Sequence, residues 1–207
     1  MIKKVGIINY GAGNLMSITN AIKVLGLDVK ILQKYTKEDF DMLILPGVGN
    51  FKPAMKNIIK NGLYEKIVGF YNQKKPILGI CLGIQLMFEK SEEAKNVRGL
   101  SFLKGEVKKF SSKNLVLPHM CWNIVKFNKK NPTILDGLRN EEFFYFVHSY
   151  YPVPEDKKIV FATTCYGEEF CCMVLKDNLV ATQFHLEKSS VVGLKLLKNI
   201  INYFNKL

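Results

Sequence analysis

Residues 76–90 read PILGICLGIQLMFEK, and this stretch sets the fold class. Pro76 to Ile80 is a short apolar run of the kind that forms a strand buried on both faces. Leu82 to Lys90 follows at once with helix-like spacing. Between them, Gly79-Ile80-Cys81-Leu82-Gly83 has the form G-x-nucleophile-x-G, with cysteine in the serine position. A turn from strand to helix this tight strains the backbone of its central residue. Glycine two residues to either side removes Cβ atoms that would clash. The sulfur then sits at the helix N-terminus, where the dipole favours thiolate, and the Leu82 N–H points to where an oxyanion would form. Taken alone, the pentapeptide also suits a buried structural cysteine between two packing glycines.

Outward from this stretch the first half alternates strand and helix patterns. Val5–Asn9, Val29–Leu32 and Met42–Leu45 are short apolar runs. Ile18, Ala21, Ile22 and Leu25 mark one helix face, closed by Gly26. Pro53 opens another helix-like stretch that ends at Gly62, and a further one runs from Tyr64 to Gln73. The second half is richer in strands: Gly105–Phe110, Phe143–Val147, Ile159–Thr164, Cys171–Leu175 and Leu179–Phe184, with Asp177-Asn178 as a tight turn. An amphipathic helix with Leu194, Leu197, Ile201 and Phe204 closes the chain. The expected fold is one α/β domain over 1–207: a mostly parallel central sheet, helices on both faces and a smaller antiparallel sheet.

Composition narrows the function classes. The chain has 207 residues, 48% hydrophobic and 23% charged, which excludes disordered, collagen-like and coiled-coil chains. No apolar run reaches the roughly 18 residues of a membrane span. MIKKVGIINYGAG reads as a first strand and not as a signal peptide. The net charge is +12, but only Arg98 and Arg139 of the 30 basic residues are arginine. A lysine surface without a nucleic-acid motif points to a solvated or protein-facing charge, with no nucleic acid and no membrane as partner. The five cysteines form neither a C-x-x-C nor an even disulfide set, so no metal is expected, and reduced thiols in the cytoplasm are the default.

A cysteine nucleophile needs a base and a group to orient it. His119, His148 and His185 are the only histidines. His185 directly follows the Leu179–Phe184 run, and Glu187 stands two residues on, on the same side of an extended strand end. Pro46-Gly47-Val48-Gly49 follows another strand and can bring backbone N–H groups close to a ligand. Gly11-Ala12-Gly13-Asn14 fails as a dinucleotide fingerprint because the third glycine would fall on Met16.

Six segments in order resemble the class I glutamine amidotransferases, and more narrowly the glutaminase subunits of imidazole glycerol phosphate synthases. They are Asn9–Asn14 (NYGAGN), Leu45–Phe51 (LPGVGNF), Gly79–Phe88 (GICLGIQLMF), Pro118–Asn123 (PHMCWN), Tyr145–Tyr151 (YFVHSYY) and Ala181–Ser189 (ATQFHLEKS). The resemblance implies a flavodoxin-like fold and no cofactor. It implies Cys81 as nucleophile, His185 as base and acid, and Glu187 as the orienting carboxylate. Leu82 and the loop of Gly47, Val48 and Gly49 would supply oxyanion donors, the peptide next to Val48 reorienting when the partner binds its substrate. Gln85 and Glu93 would bind L-glutamine, with His148, Ser149 and Tyr150 lining the pocket. Asn14, Trp122, Tyr145 and Lys188 would face a separate (β/α)8-barrel cyclase subunit in a heterodimer. There ammonia would convert the phosphoribulosyl intermediate PRFAR to imidazole glycerol phosphate and AICAR, in histidine biosynthesis.

The chain departs from the family pattern twice. Leu186 replaces a proline between base and orienter, which predicts a looser triad because the fixed φ is lost. Cys121 replaces a glycine beside Trp122, on the expected partner face. These two leave open a paralogous role, ammonia supply for amidino-sugars of surface polysaccharide or flagellar glycan. More distant is a non-catalytic basic binding module.

Overall fold

The computed structural model describes residues 1–11, 13–111 and 115–207; Ala12 of the Gly11–Asn14 loop lies outside them. In chain order the strands are β1 (Lys4–Ile8), β2 (Asp28–Leu32), β3 (Met42–Leu45), β4 (Ile77–Ile80), β5 (Phe88–Ser91), β6 (Leu103–Lys109), β7 (His119–Phe127), β8 (Glu141–His148), β9 (Tyr150–Pro154), β10 (Val160–Tyr166), β11 (Glu168–Lys176) and β12 (Leu179–Thr182). The helices are α1 (Leu15–Val24), α2 (Phe51–Lys60), α3 (Leu63–Asn72), α4 (Leu82–Leu86) and α5 (Ser190–Phe204).

β2-β1-β3-β4-β12 are parallel neighbours, and every residue of β3, β4 and β12 is buried. Their order is the 2-1-3-4-5 order of flavodoxin-like sheets. Ile18 and Ile22 of α1 pack with Leu196, Leu197 and Ile200 of α5 in one core. Phe51, Met55 and Ile58 of α2 pack with Leu63, Ile67 and Phe70 of α3 in a second. The sheet is thus covered on both faces, as its apolar strands require.

Several boundaries differ from the sequence expectation for identifiable reasons. The helix after the elbow ends at Leu86 and does not reach Lys90. The Leu86 carbonyl, which would extend the helix, instead accepts from Leu100 N at 2.8 Å, and Phe88 enters β5 against Leu103. Helix α2 begins at Phe51, two residues before Pro53. Proline is tolerated there because first-turn N–H groups have no intrahelical acceptor.

Strand β7 is not marked by alternation, since Met120, Trp122 and Ile124 are apolar yet exposed. Strand β9 carries Pro152 and Pro154, which suit only an edge strand, and β9 is the edge of its sheet. The antiparallel strands β11, β10, β7 and β8 extend the large sheet to nine strands. The small sheet β5-β6-β9 is mixed, with β5 parallel to β6 and β9 antiparallel to it.

Four of the six expected functional segments lie at the carboxyl ends of β1, β3, β4 and β12, and the other two run along β7 and across β8 and β9. In open α/β sheets the carboxyl ends form the edge where ligands bind. What lets them converge is the elbow. A Cβ on Gly83 would lie 1.9 Å from the Leu45 carbonyl oxygen, and one on Gly79 would lie 2.9 Å from the Gly83 carbonyl carbon. Gly83→Ala is therefore expected to destabilise the chain by about 3 kcal/mol or more through backbone overpacking. Gly69→Ala, in α3 with open space around the added carbon, is expected to stabilise it by about 0.5–1 kcal/mol. Urea unfolding midpoints of the two variants should move in opposite directions.

Candidate active site

Cys81 has φ 53° and ψ −103°, a region that L residues rarely adopt. Its N–H donates to Thr182 O at 2.8 Å, tying the elbow to β12. Residues following β12 bring the base alongside. His185 is buried, and its Nδ1 stands 2.7 Å from Glu187 Oε1. A carboxylate only accepts, so Nδ1 carries the proton and Nε2 is left for the sulfur. Nε2 is buried and has no hydrogen-bond partner among the described residues. Burial opposes a charge on His185. The Cys81 sulfur and then Glu187 outweigh it and raise the ring to about 10. The arrangement favours an imidazolium next to the Cys81 sulfur.

With Leu186 in place of proline, the His185–Glu187 contact is still made at 2.7 Å. The Leu186 side chain is buried in the α1–α5 core. The segment is also pinned by backbone, with His185 N–H donating to Tyr145 O at 2.9 Å. Ser189 Oγ accepts from Tyr145 N at 3.0 Å and donates to His185 O at 2.5 Å. These bonds do the positioning that a proline would do through its fixed φ. Tyr145, which the sequence marked only as partner-facing, is therefore bonded directly to the base.

The oxyanion donors are arranged differently from the expectation. Leu82 N–H donates to Gly47 O at 3.0 Å, so this carbonyl occupies the place of an oxyanion. Gly47 and Gly49 have φ 140° and 142°, which only glycine adopts readily. The loop between them is held from behind. The Tyr10 hydroxyl donates to Pro46 O. A Cβ on Gly13 would lie 2.7 Å from Gly47 Cα. Tyr10 was not singled out from the sequence, although NYGAGN contains it.

A cavity of about 270 Å³ opens beside Cys81, lined among others by Val48, Gly49, Leu82, Gln85, Glu93, His148, Ser149 and Tyr150. It brings together every residue expected to bind substrate. Gln85 Nε2 donates to Tyr150 O at 2.9 Å and to Gln183 Oε1 at 3.1 Å. Gln183 Nε2 stands 3.6 Å from Cys81 Sγ. Gln183 is a second residue the sequence reading passed over, although ATQFHLEKS contains it. Glu93 Oε2 accepts from Phe51 N at 2.9 Å, and burial raises its carboxyl despite that bond. A larger hollow of about 650 Å³ lies between Lys126–Lys130 and Arg139–Glu141, and its lining holds no cysteine or histidine.

Asn14 serves the fold directly. Its Oδ1 caps α1, accepting from Met16 N at 3.2 Å and Ser17 N at 3.4 Å. Trp122 is 48% exposed, with its ring 6.2 Å from that of Tyr145. Lys188 Nζ lies 5.9 Å from the Tyr145 ring centre. Cys121 is exposed on the same strand as Trp122.

The model of the family described as glutamine amidotransferase class-I matches residues 6–202. The chain belongs to this family. Class I members among the curated relatives include the imidazole glycerol phosphate synthase subunit HisH of Caldanaerobacter subterraneus, 45% identical over 94% of this chain and 96% of that one. The subunit of the same name from Methanocaldococcus jannaschii is 46% identical over 95% of this chain and 98% of its own. Among solved structures, PurLQS from Thermotoga maritima superposes with a TM-score of 0.75 at 18% identity, over 98% of this chain and 99% of that one. That likeness speaks for the amidotransferase fold.

The two other histidines give the site a pH signature. Burial pushes His119 down to about 4. Burial also pushes His148 down to about 3, against a smaller opposing pull from the Tyr150 carbonyl. Unfolded histidine titrates near 6.5. Between about pH 6.5 and 4 the unfolded chain therefore binds protons that the native one does not. Stability falls with pH across that window, by about 1.4 kcal/mol per pH unit for each such proton. His185, raised to about 10, gives its stabilisation in full only below about pH 6.5 and offsets a small part of the fall above it, and the raised Glu93 carboxyl acts in the same opposing sense. The lowered carboxyls of Glu38, Asp39 and Glu142 act mainly at or below the bottom of the window. Urea midpoints should drop clearly from pH 7 to pH 5; a flat profile would contradict the neutral buried pair.

Proposed function

We propose that residues 1–207 form a single glutamine amidotransferase domain, the glutaminase subunit of an imidazole glycerol phosphate synthase. The observation that carries this is the Cys81–His185–Glu187 line at the elbow, in a chain about 45% identical to such subunits over nearly its full length. Cys81 Sγ attacks the side-chain amide carbon of L-glutamine, its proton having passed to His185 Nε2. The oxyanion is held by N–H groups once the Gly47–Val48 peptide turns, freeing Leu82 N–H and presenting that of Val48. One such donor is worth about 2.7–4 kcal/mol of barrier. His185 protonates the leaving ammonia, then draws a proton from the water that opens the thioester. Glu93, with Oε1 not engaged by Phe51, suits the substrate's ammonium group.

Ammonia then passes to a separate (β/α)8-barrel cyclase, the heterodimer partner in histidine biosynthesis. An apolar row supports this face: exposed Trp122 pairs with half-buried Tyr145, and exposed Ile124 with exposed Phe143, across β7 and β8. Lone exposed apolar side chains are ordinary, but a contiguous row marks an interface. Tyr145 joins that row to the base through its carbonyl. The similarity to imidazole glycerol phosphate synthase subunits favours this client over amidino-sugar synthesis. We place the subunit in the cytoplasm with its cysteines reduced; all five are free, and no helix among the described residues is long and apolar enough to cross a membrane.

Glutamate release by the heterodimer should be abolished in Cys81→Ala, and the wild-type gene should rescue a histidine auxotroph lacking its own glutaminase subunit. Retained hydrolysis in Cys81→Ala would refute the nucleophile, and failed rescue alongside an active glutaminase would refute the client. With +12 on this subunit, affinity for the partner should weaken as salt rises. An affinity constant across ionic strength would remove charge from the association.

A further inference from the structure

A line of polar atoms runs from β7 to the wall of the substrate cavity. Asn123 Nδ2 donates to Cys165 O at 2.8 Å and stands 3.2 Å from His119 Nε2. His119 Nδ1 is 3.0 Å from His148 Nε2, and His148 Nδ1 is 2.8 Å from Tyr150 O. Tyr150 O also takes the Gln85 amide. Both imidazoles are buried, and the His119 ring is stacked between Phe146 and Tyr166, with centroids 4.8 Å and 4.1 Å away.

The partners allow one assignment of protons. A carbonyl only accepts, so His148 Nδ1 carries hydrogen. A neutral ring has one N–H, so His148 Nε2 accepts, and the hydrogen between the rings belongs to His119 Nδ1. His119 Nε2 then accepts in turn, from Asn123 Nδ2. The Asn123 amide is oriented for this, since its Oδ1 accepts from Ile124 N at 2.8 Å. Desolvation keeps both rings neutral at pH 7, as the alternation requires.

We propose that His119 is a positioning residue of the glutaminase site: its Nδ1–H fixes the tautomer of His148, which orients the Tyr150 carbonyl and, through it, Gln85. This rests on the glutaminase reading. The line ends on groups that line the cavity, and its contacts to Cys81 Sγ are long ones, 3.6 Å from Gln183 Nε2 and 3.7 Å from the Val147 carbonyl beside His148. Losing it should therefore weaken substrate binding and leave the chemical step intact. A purely structural histidine would affect stability without that split.

The test is steady-state hydrolysis by the heterodimer, with wild type, His119→Phe and His119→Asn measured together. Phenylalanine keeps the stack and has no donor; asparagine places an amide nitrogen where Nδ1 lies. His119→Phe should raise KM for glutamine about tenfold, the worth of one buried hydrogen bond, with kcat within about twofold. His119→Asn should restore KM to within about threefold of wild type. An unchanged KM in His119→Phe, a loss confined to kcat, or no difference between the two variants overturns the proposal. Absence of hydrolysis by wild type would instead defeat the glutaminase reading. A second measurement needs no variant: nitrogen-15 NMR of histidine-labelled wild-type heterodimer at pH 7. It should show His119 and His148 neutral with the proton on Nδ1, and the proton on Nε2 of either ring overturns the proposal.

Discussion

The backbone of Cys81, held at φ 53° and ψ −103° between β4 and α4, is the constraint on which the site depends. It exists because two neighbouring glycines have no Cβ, so that Gly83 passes against the Leu45 carbonyl and Gly79 against Gly83 itself. That contact brings the ends of β3 and β4 together. The bond from Cys81 N to Thr182 O adds the end of β12, where the base follows. The proposed nucleophile, oxyanion loop and base therefore follow three neighbouring parallel strands, and their separation is set by strand spacing.

The same packing sets the state of the proposed site, assembled on one side and blocked on the other. His185 is oriented by Glu187 and held by Tyr145 and Ser189, so the acid–base half is ready. The oxyanion half is closed, because Gly47 O takes the donor of Leu82. Turning one peptide between two glycines near φ 140° meets little steric resistance in the loop. The Tyr10 hydroxyl and Gly13 hold the loop's other side, and Gly13 leads directly into Asn14 and α1. An event at that helix end thus has a short packed route to the carbonyl that must move. Tyr145 gives the opposite side of the site a similar link, from an apolar row to the base.

Much of this was legible along the chain. The elbow, the His-x-Glu after a strand and the glycine-rich turn after β3 each carry a local signature, since each depends on residue type at fixed spacing. What was not legible depends on contacts distant in sequence. Helix α4 stops at Leu86 because Leu100 captures its carbonyl. Strand β7 hid because its outward residues are as apolar as its inward ones. Tyr10, Gln183 and His119 stand in recognisable segments, yet their roles were hidden, for their partners lie 36, 102 and 29 residues away.

By itself the sequence determined the fold class and singled out Cys81, His185, Glu187 and the Gly47–Gly49 loop as the proposed site, because tight turns and buried strands admit few residue types. Only the tertiary structure decided the state of the site. Whether Leu82 N–H faces a ligand or Gly47 O depends on a peptide orientation that glycine leaves open in both directions. That leucine can stand where proline was expected depends on burial of its side chain and on the backbone bonds joining His185 to Tyr145. The proton order of the buried histidine pair follows from a carbonyl at one end and an amide at the other. Such choices rest on distances between strands that the chain order does not reveal.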